Sequence, residues 1–414
     1  MGFFHILKSV ALVSIVTSAL NLGVSFIFSF IMSKEDYGVY TYWLSLYFIF
    51  LNLIPFGVIG ALTVNRLKLN EAEYGDLLLI SLLVVMPMVL LFTLLFIYIK
   101  STLFENDLNI EYFAPISAYF YAICLILLSI LRIDQDFKPY SIIFIMVVSF
   151  SSLIQVTSYL FFQNIQYVIY SFSIAMFISA MCCLLILSKF FIFNFSSFNF
   201  KMLKSILPGQ FKYGTPLVLG SVGMSFMVVG DKIIVKNLVD EYTVGLYATT
   251  ALVCSTVLFL VNNFAAAWGG FLIKKLSVEN TISSYIFFKK SQKILFLSLL
   301  PMSFIIIGIQ YLFYTTLYSV EDLIYVLVLV NLSLGYCIYG ASKFFVGYMM
   351  FFKYNTDILK GTVIGLVGLI ISSYYLQFDA VINISLGVLI GFICQLTYFV
   401  YFVNKKIYGE RNVL

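Results

Sequence analysis

The sequence predicts an all-α polytopic membrane protein with twelve transmembrane helices in two six-helix bundles. Of its 414 residues, 62% are hydrophobic and only 10% are charged, whereas soluble domains carry about 25% charged residues. The mean hydropathy is +1.04. The apolar runs are about 20 residues long, which suits helices that cross a bilayer rather than the shorter alternating strands of a membrane barrel.

Each predicted helix corresponds to one apolar run. The runs cover 9–32, 38–62, 76–99, 113–131, 139–162 and 166–189, and then 212–234, 242–268, 291–315, 322–350, 357–376 and 380–403. The first run is too long for a signal-peptide core and lacks a clear cleavage site, so we interpret it as a helix. The more polar stretch 190–211 is the predicted cytoplasmic linker between an N-terminal bundle (1–189) and a C-terminal bundle (212–414).

The distribution of lysine and arginine predicts the orientation in the membrane. An even number of helices places both termini on one side, and that side holds 19 of the 24 lysine and arginine residues, against three on the other. Because cytoplasmic loops are enriched in these residues, both termini are predicted to be cytoplasmic. Ten acidic residues, Glu111 among them, fall in short outer loops, where we expect solvated loop ends.

An internal repeat supports the division into halves. The tetrads Tyr37–Tyr40 (YGVY) and Val244–Tyr247 (VGLY) each follow acidic residues, and their glycines are 207 residues apart, half of the chain. Gly23 and Gly230 are separated by the same distance. Six helices are an even number, so the two halves are predicted to share one orientation, related by an axis along the membrane normal.

Two lysines in apolar runs are candidate binding residues. Asp231 and Lys232 lie deep in the seventh run, which also contains helix-loosening glycines and a proline, and Lys343 lies in the tenth run. A charge inside the bilayer costs several kcal/mol unless it meets a partner, water or a ligand. The alternatives are that the pair only neutralises itself at a helix bend, or that either lysine snorkels to the nearer interface.

Three further residues are candidates at the predicted cytoplasmic mouth or near helix ends. Arg66 and Arg132 are predicted at the inner mouth, since arginine suits bidentate contact with phosphate. For Arg132 the alternative is a loop salt bridge with the neighbouring Asp134 or Asp136. Asn21 could donate to sugars, although capping or a hydrogen bond between helices also explains it.

Other conspicuous residues are interpreted mainly as packing. The pairs Gly361/Gly365 and Gly387/Gly391 place small residues one helical turn apart, which predicts close packing within a bundle, with a dimer seam as the alternative. Trp43 and the tyrosines could stack on sugar rings, but most aromatic residues belong to packing or interfacial belts.

Several kinds of chemistry are excluded by composition. The six cysteines lie in apolar runs without a C-x-x-C motif, and His5 is the only histidine. We therefore expect no metal centre and no histidine-based triad. There is no phosphate-binding loop, so ATP use is not predicted. No cofactor is predicted.

The residues Asp231–Ile234, Val244–Tyr247 and Glu35–Gly38 resemble those of the polysaccharide-flippase branch of the multidrug/oligosaccharidyl-lipid/polysaccharide exporter superfamily. Within it, the chain is similar to the bacterial O-antigen (O-unit) flippases. The resemblance implies flipping of undecaprenyl-diphosphate-linked oligosaccharide across the bacterial inner membrane, through a cationic cavity between two bundles. It also implies three partners, namely the lipid-linked glycan, the bilayer and other O-antigen assembly proteins, and no nucleic acid.

Departures from the superfamily narrow this expectation. Drug exporters usually carry an acid in the first helix, where this chain has only Asn21, and lipid II flippases typically have two further helices. The alternative from another class is an O-antigen polymerase-type membrane glycosyltransferase, for which the outer loops are short. Another transporter of the same superfamily and a scaffold for a synthesis complex are further alternatives. Coupling to a proton or sodium gradient is compatible with the chain, and Asp231 is its one mid-membrane acid candidate.

Overall fold

The structure is a computed structural model. It describes residues 3–55, 58, 62, 71–103, 109–134, 136–190, 215–216, 218–278, 281–318, 322–352 and 354–411. All regular elements in this part of the chain are helices. The chain divides into two compact units, one made of Met1–Met32 and Val39–Val222 and the other of Ser33–Gly38 and Gly223–Leu414.

The helices of the first half follow the predicted runs closely. They are α1 (Phe3–Ile31), α2 (Lys34–Leu53), α3 (Glu71–Leu103), a short 3-10 helix (Asn109–Tyr112), α4 (Phe113–Ile133), α5 (Phe137–Phe162) and α6 (Ile165–Phe190). The end of the predicted second helix is described only at residues 58 and 62, and the predicted linker 190–211 lies outside the described residues beyond Phe190.

The core of the first unit is built on small residues and aromatic rings. Ala118 and Ala122 on α4 are fully buried, and the hydroxyls of Ser117 and Ser173 lie 2.7 Å apart between α4 and α6. Trp43 is fully buried and stacks on Tyr47, with ring centroids 5.9 Å apart. These contacts assign Trp43 to packing within its unit.

The second half contains seven helices, in the order α7 (Val218–Val229), α8 (Asp231–Leu238), α9 (Glu241–Val278), α10 (Thr281–Tyr318), α11 (Leu323–Phe351), α12 (Asn355–Tyr375) and α13 (Ala380–Arg411). α11 packs against α9 and α13, and α13 packs along α12. An aromatic-rich core at one end of these helices includes Phe288, Phe345 and Phe399, all fully buried.

The paired glycines bring α12 and α13 together. A Cβ added at Gly365 would lie 2.9 Å from the carbonyl oxygen of Gly391, and one added at Gly391 would lie 2.8 Å from that of Gly365. A Cβ on Gly387 would meet the side chain of Ser373 on α12. The prediction that these motifs pack within one bundle is confirmed.

The structure is that of a multi-pass membrane protein. Nine of the described helices are long and apolar enough to cross a membrane, or ten if α7 and α8 form one bent span. α1 contributes a shorter apolar stretch, Ile15–Ile31. The described residues thus account for nine or ten of the twelve predicted spans by these measures, and the orientation of the termini stays a prediction.

The prediction of a long basic loop between the runs 242–268 and 291–315 is wrong. Most of the stretch between these runs is helical, because α9 continues to Val278 and α10 begins at Thr281. Each of these helices has 38 residues and is about 57 Å long, nearly twice the hydrocarbon thickness of about 30 Å. Hydropathy marks only the apolar part of a helix, whereas its backbone hydrogen bonds continue equally well into water.

Helix boundaries keep the offset of the internal repeat. α1 ends at Ile31 and α8 at Leu238, while α2 begins at Lys34 and α9 at Glu241. Both pairs are 207 residues apart, like the motif glycines. The structure therefore supports the repeat at this point of the chain.

The two repeated tetrads also touch. Within the second unit, a Cβ added at Gly38 would lie 2.9 Å from the amide nitrogen of Gly245 and 2.7 Å from the carbonyl oxygen of Glu241. A Cβ on Gly245 would collide with the carbonyl of Lys34. Glycine at both positions is required because backbone meets backbone here.

Candidate functional site

The predicted seventh helix is broken at Gly230. The axes of α7 and α8 differ by 52°, which corrects the expectation of one helix over 212–234. A side chain at Gly230 would collide with the carbonyl and ring of Phe226. The amides of Ile233 and Ile234 both donate to the Gly230 carbonyl, at 3.0 and 3.1 Å, so a new helix begins there.

Side chains satisfy the backbone groups at the break. In a continuous helix the amide of Lys232 would donate to the carbonyl of Val228. Here the Lys232 amide donates to Oδ1 of Asp231 at 2.9 Å, and the Val228 carbonyl accepts from the hydroxyl of Tyr336 on α11 at 3.3 Å. Because buried backbone groups need partners, these two bonds stabilise the bent geometry.

The carboxylate of Asp231 is fully buried and fully engaged. Its Oδ1 also accepts from Lys232 Nζ at 3.1 Å, and its Oδ2 accepts from the hydroxyl of Tyr247 on α9 at 2.9 Å. The first turn of α8 adds the favourable end of the helix dipole. Asp231 is therefore held from two sides, by its own helix and by the residue that closes the second repeated tetrad.

The ammonium of Lys232 has spare hydrogen-bonding capacity. Its side chain is only 13% exposed, and among the contacts of the described residues its Nζ donates to Asp231 Oδ1. An ammonium has three donors, so two are left for a further acceptor. This arrangement presents a desolvated cation beside a fixed counter-charge.

Lys343 lies elsewhere on the second unit. It is half-buried on α11, with its Nζ 4.9 Å from the centre of the Tyr339 ring. Seven residues separate it from Tyr336, about 10 Å along the helix axis. Lys343 lies against the Tyr339 ring, whereas Lys232 pairs with Asp231, so the two candidate cations have different partners.

The other candidates are only partly described. Arg66 lies outside the described residues, and for Arg132 the structure describes the backbone, near the end of α4, but not the side chain. Asn21 is exposed on α1, and its carbonyl accepts from the hydroxyl of Ser25 at 3.1 Å. These three stay predictions.

Sequence reasoning missed the burial of Glu111. Its side chain is 3% exposed and hydrogen-bonds with the Tyr42 side chain of α2, so the expectation of a solvated loop end is wrong for this acid. Its sequence neighbours resemble those of the exposed loop acids. The burial depends on a contact between residues 69 positions apart, for which the sequence carries no local signal.

A buried amide also escaped the sequence analysis. The Gln310 side chain on α10 donates to the Val253 carbonyl at 3.0 Å and to the Thr256 hydroxyl at 2.9 Å, and accepts from Ser333 on α11 at 2.6 Å. This network joins α9, α10 and α11 and satisfies the amide on both sides. It stabilises the helices from which Tyr247 and Tyr336 reach the break.

The described helices form a multi-pass membrane protein with a MATE-like fold. An inward-facing multidrug resistance MATE family transporter of the MOP superfamily aligns with a TM-score of 0.73, at 14% identity, over 97% of this chain and 99% of that chain. An outward-facing structure of a multidrug resistance MATE family transporter of the MOP superfamily gives a TM-score of 0.65, at 13% identity, over 99% of this chain and 97% of that chain. A Vibrio cholerae MATE transporter gives 0.66 at 12% identity over 98% and 96%.

The sequence supplies the narrower assignment. A family profile described as polysaccharide biosynthesis protein matches residues 8–268, and the chain belongs to that family. No curated protein matches the chain. The resemblance is confirmed at the level of the polysaccharide biosynthesis family and of the MATE-like fold, whereas flipping and the O-antigen substrate stay predictions.

Proposed function

We propose that the protein flips an undecaprenyl-diphosphate-linked oligosaccharide, an O-antigen repeat unit, across the bacterial inner membrane by alternating access. Membership of the polysaccharide biosynthesis family and the fold shared with MATE transporters support this proposal. The fold of the structural neighbours also favours transport over the polymerase-type glycosyltransferase. The observation that carries the proposal is the ion pair of Asp231 and Lys232 at the break between α7 and α8.

The chemistry of the substrate fits this pair. A diphosphate is anionic, and its oxygens accept charge-assisted hydrogen bonds from an ammonium. Lys232 is desolvated in advance and keeps two free donors, so a phosphate that reaches it gains hydrogen bonds without displacing a full shell of water. Tyr247 holds Oδ2 of Asp231, so the carboxylate stays in place and keeps its ion pair with the ammonium while the phosphate binds and leaves. The interaction is thereby reversible, as a carrier requires.

The remaining candidates take supporting roles in this proposal. The head group enters from the cytoplasm past Arg66 and Arg132, which attract the diphosphate, while Asn21 offers hydrogen bonds to sugar hydroxyls. Lys343 is a separate contact about 10 Å along α11 from the level of Tyr336. The polyprenyl tail stays in lipid throughout.

The test compares two lysines of the same short helix. Lys232→Gln is made beside Lys236→Gln, a control at the other end of α8 whose side chain is 9% exposed and pairs with Glu241, which is 47% exposed. Each variant is expressed in the source bacterium lacking its own copy of the gene. Surface polysaccharide, the lipid-linked intermediate on the cytoplasmic leaflet and the protein level in the membrane are measured.

We expect Lys232→Gln to lower export about 10- to 100-fold at normal protein level, because one charge-assisted hydrogen bond to a phosphate is lost. Lys236→Gln is expected to export normally, and Lys232→Arg to keep part of the activity. Normal export by Lys232→Gln would overturn the proposed role of the ion pair.

A further inference from the structure

A cluster of lysines and tyrosines occupies the end of the second unit where α12 begins and α13 finishes. We propose that this cluster is a docking surface for the head groups of anionic phospholipids. We call it the α12–α13 basic end, and it consists of Tyr354, Lys360, Tyr398, Tyr401, Lys405 and Lys406. The proposal rests on the embedding of the protein in a bilayer and goes beyond the proposed transport activity.

Contacts between the two helices hold one lysine in place. Lys406 of α13 lies with its Nζ 5.6 Å from the centre of the Tyr354 ring, which precedes α12. The Tyr354 ring packs edge-on against Phe402, with centroids 5.3 Å apart. A cation over an aromatic face keeps its charge and its donors available to an anion. The ammonium is thus positioned without being neutralised.

Among the side chains that the structure describes at this end, one acid beside the cluster compensates one lysine. Asp357 Oδ1 accepts from Lys360 Nζ at 3.0 Å and from the Tyr398 hydroxyl at 3.3 Å. Lys405 lies over the ring of Tyr401, 5.8 Å from its centre. Counted over these described side chains, the three lysines and Asp357 give a net charge of about +2. Its sign is complementary to a phosphodiester.

Part of the cluster rests on the aromatic-rich core and part of it is exposed. Phe399 and Val403 of α13 are fully buried in that core, and Tyr354 and Tyr398 pack against it. Tyr401 and Lys405, four residues apart, share another face of α13, and both are exposed, as is Lys406. Tyr401 is 61% exposed and Lys360 65% exposed.

The length of α13 places the cluster at the membrane surface. The helix has 32 residues and is about 48 Å long, so about 18 Å of it extends beyond a hydrocarbon core of about 30 Å. Counting about 20 residues from Ala380 puts the end of the hydrocarbon near residue 400. Tyr398 and Tyr401 then lie at the interface, and Lys405 and Lys406 lie at the depth of the phosphates.

Phospholipid is the occupant that these features favour over free phosphate. The cations project from two helices near the same end of the second unit, alongside tyrosine rings that suit the boundary between head groups and acyl chains. Basic clusters at this depth attract anionic lipids over zwitterionic ones. A soluble phosphate would gain nothing from the aromatic rings.

The test uses the purified full-length protein. Native mass spectrometry counts the phosphatidylglycerol and phosphatidylcholine molecules that the protein retains from mixed micelles containing equal amounts of the two lipids. Thermal unfolding is followed separately in vesicles of each lipid. We expect retention of phosphatidylglycerol over phosphatidylcholine and a higher unfolding midpoint with the anionic lipid. The combined Lys360→Gln, Lys405→Gln and Lys406→Gln variant should reduce the preference about tenfold or more, because each lysine contributes to surface attraction.

Three controls keep the outcome decisive. Lys236→Gln changes a lysine outside the α12–α13 basic end and should keep the preference for phosphatidylglycerol. The combined Lys360→Arg, Lys405→Arg and Lys406→Arg variant retains the positive charge and should keep this preference as well. Lys232→Gln should also keep it, which separates this proposal from the transport proposal. Equal retention of both lipids, an undiminished preference in the triple Gln variant, or equal protection by inorganic phosphate or pyrophosphate would overturn the docking surface.

Discussion

Removing one hydroxyl tests how the ion pair is held. Tyr247→Phe deletes the donor to Oδ2 of Asp231, which lies at 2.9 Å in a fully buried position, and leaves the ring in place. Oδ2 is one of the two oxygens of a carboxylate that is closed off from water. Among the contacts of the described residues, Tyr247 is the donor to this oxygen, so the change leaves a buried charged acceptor without that partner.

The expected cost follows from the charge of the acceptor. A hydrogen bond to a charged group contributes about 1.5–3 kcal/mol to stability, whereas a neutral one contributes about 0.5–1.5 kcal/mol. The matched control is Tyr314→Phe, also fully buried. Its hydroxyl lies 2.9 Å from that of Thr250, which additionally donates to the Leu246 carbonyl. We therefore expect Tyr247→Phe to destabilise the protein by about 1 kcal/mol more than the control.

The assay is denaturant unfolding in mixed micelles, carried out for both variants and in an Asp231→Asn background. If Tyr247 stabilises the charge of Asp231, Tyr247→Phe should destabilise the Asp231→Asn protein by about 1 kcal/mol less than it destabilises the unmodified protein. A double-mutant cycle measures this coupling. Equal costs for the two phenylalanine variants, or equal costs of Tyr247→Phe in both backgrounds, would refute this reasoning.

Four further changes probe other contacts by the same unfolding assay. Gly245→Ala should destabilise by about 1–3 kcal/mol through overpacking, while Gly23→Ala, with nothing within 4 Å of the added Cβ, should stabilise α1 by about 0.5–1 kcal/mol. Gly391→Ala should likewise cost about 1–3 kcal/mol, since its Cβ would strike the backbone of α12; no loss would contradict the close approach. Two hydrogen bonds from Thr243, hydroxyl and amide, hold the pKa of Asp240 below its usual 3.8. Because a depressed pKa stabilises only above the unfolded value, this contribution should disappear as the pH falls below 3.8, and Asp240→Asn should abolish that pH dependence.

The sequence predicted what depends on local composition. The runs 139–162 and 166–189 correspond to α5 (Phe137–Phe162) and α6 (Ile165–Phe190) within two residues, because a helix in lipid must be apolar along its whole buried length. The same method failed where a helix leaves the bilayer. α9 runs ten residues beyond its predicted end at 268, since the requirement for apolar residues stops at the membrane surface and helical hydrogen bonding does not.

Half of the candidate site was also predictable. Asp231 and Lys232 were conspicuous because charged residues are rare in apolar runs. The contacts that hold them were not predictable. Tyr247 stood out as part of the repeated tetrad, Tyr336 is one of thirty tyrosines, and only the packing of α9 and α11 shows that both reach the break. The burial of Glu111 was inaccessible for the same reason. Pairing across distant helices is a property of the tertiary structure.

Comparison of the two copies of the repeat shows what breaks the helix. Gly23 and Gly230 occupy equivalent positions, yet α1 continues through Gly23 without interruption, so glycine alone is insufficient. The second copy differs by Asp231, whose Oδ1 accepts from the following amide, and by Tyr336, which supplies a donor for the carbonyl left free. The carboxylate that begins α8 needs a counter-charge in its buried position, and Lys232 provides it. The break and the cation are therefore one arrangement, and within the part of the chain that the structure describes this arrangement belongs to the second copy of the repeat.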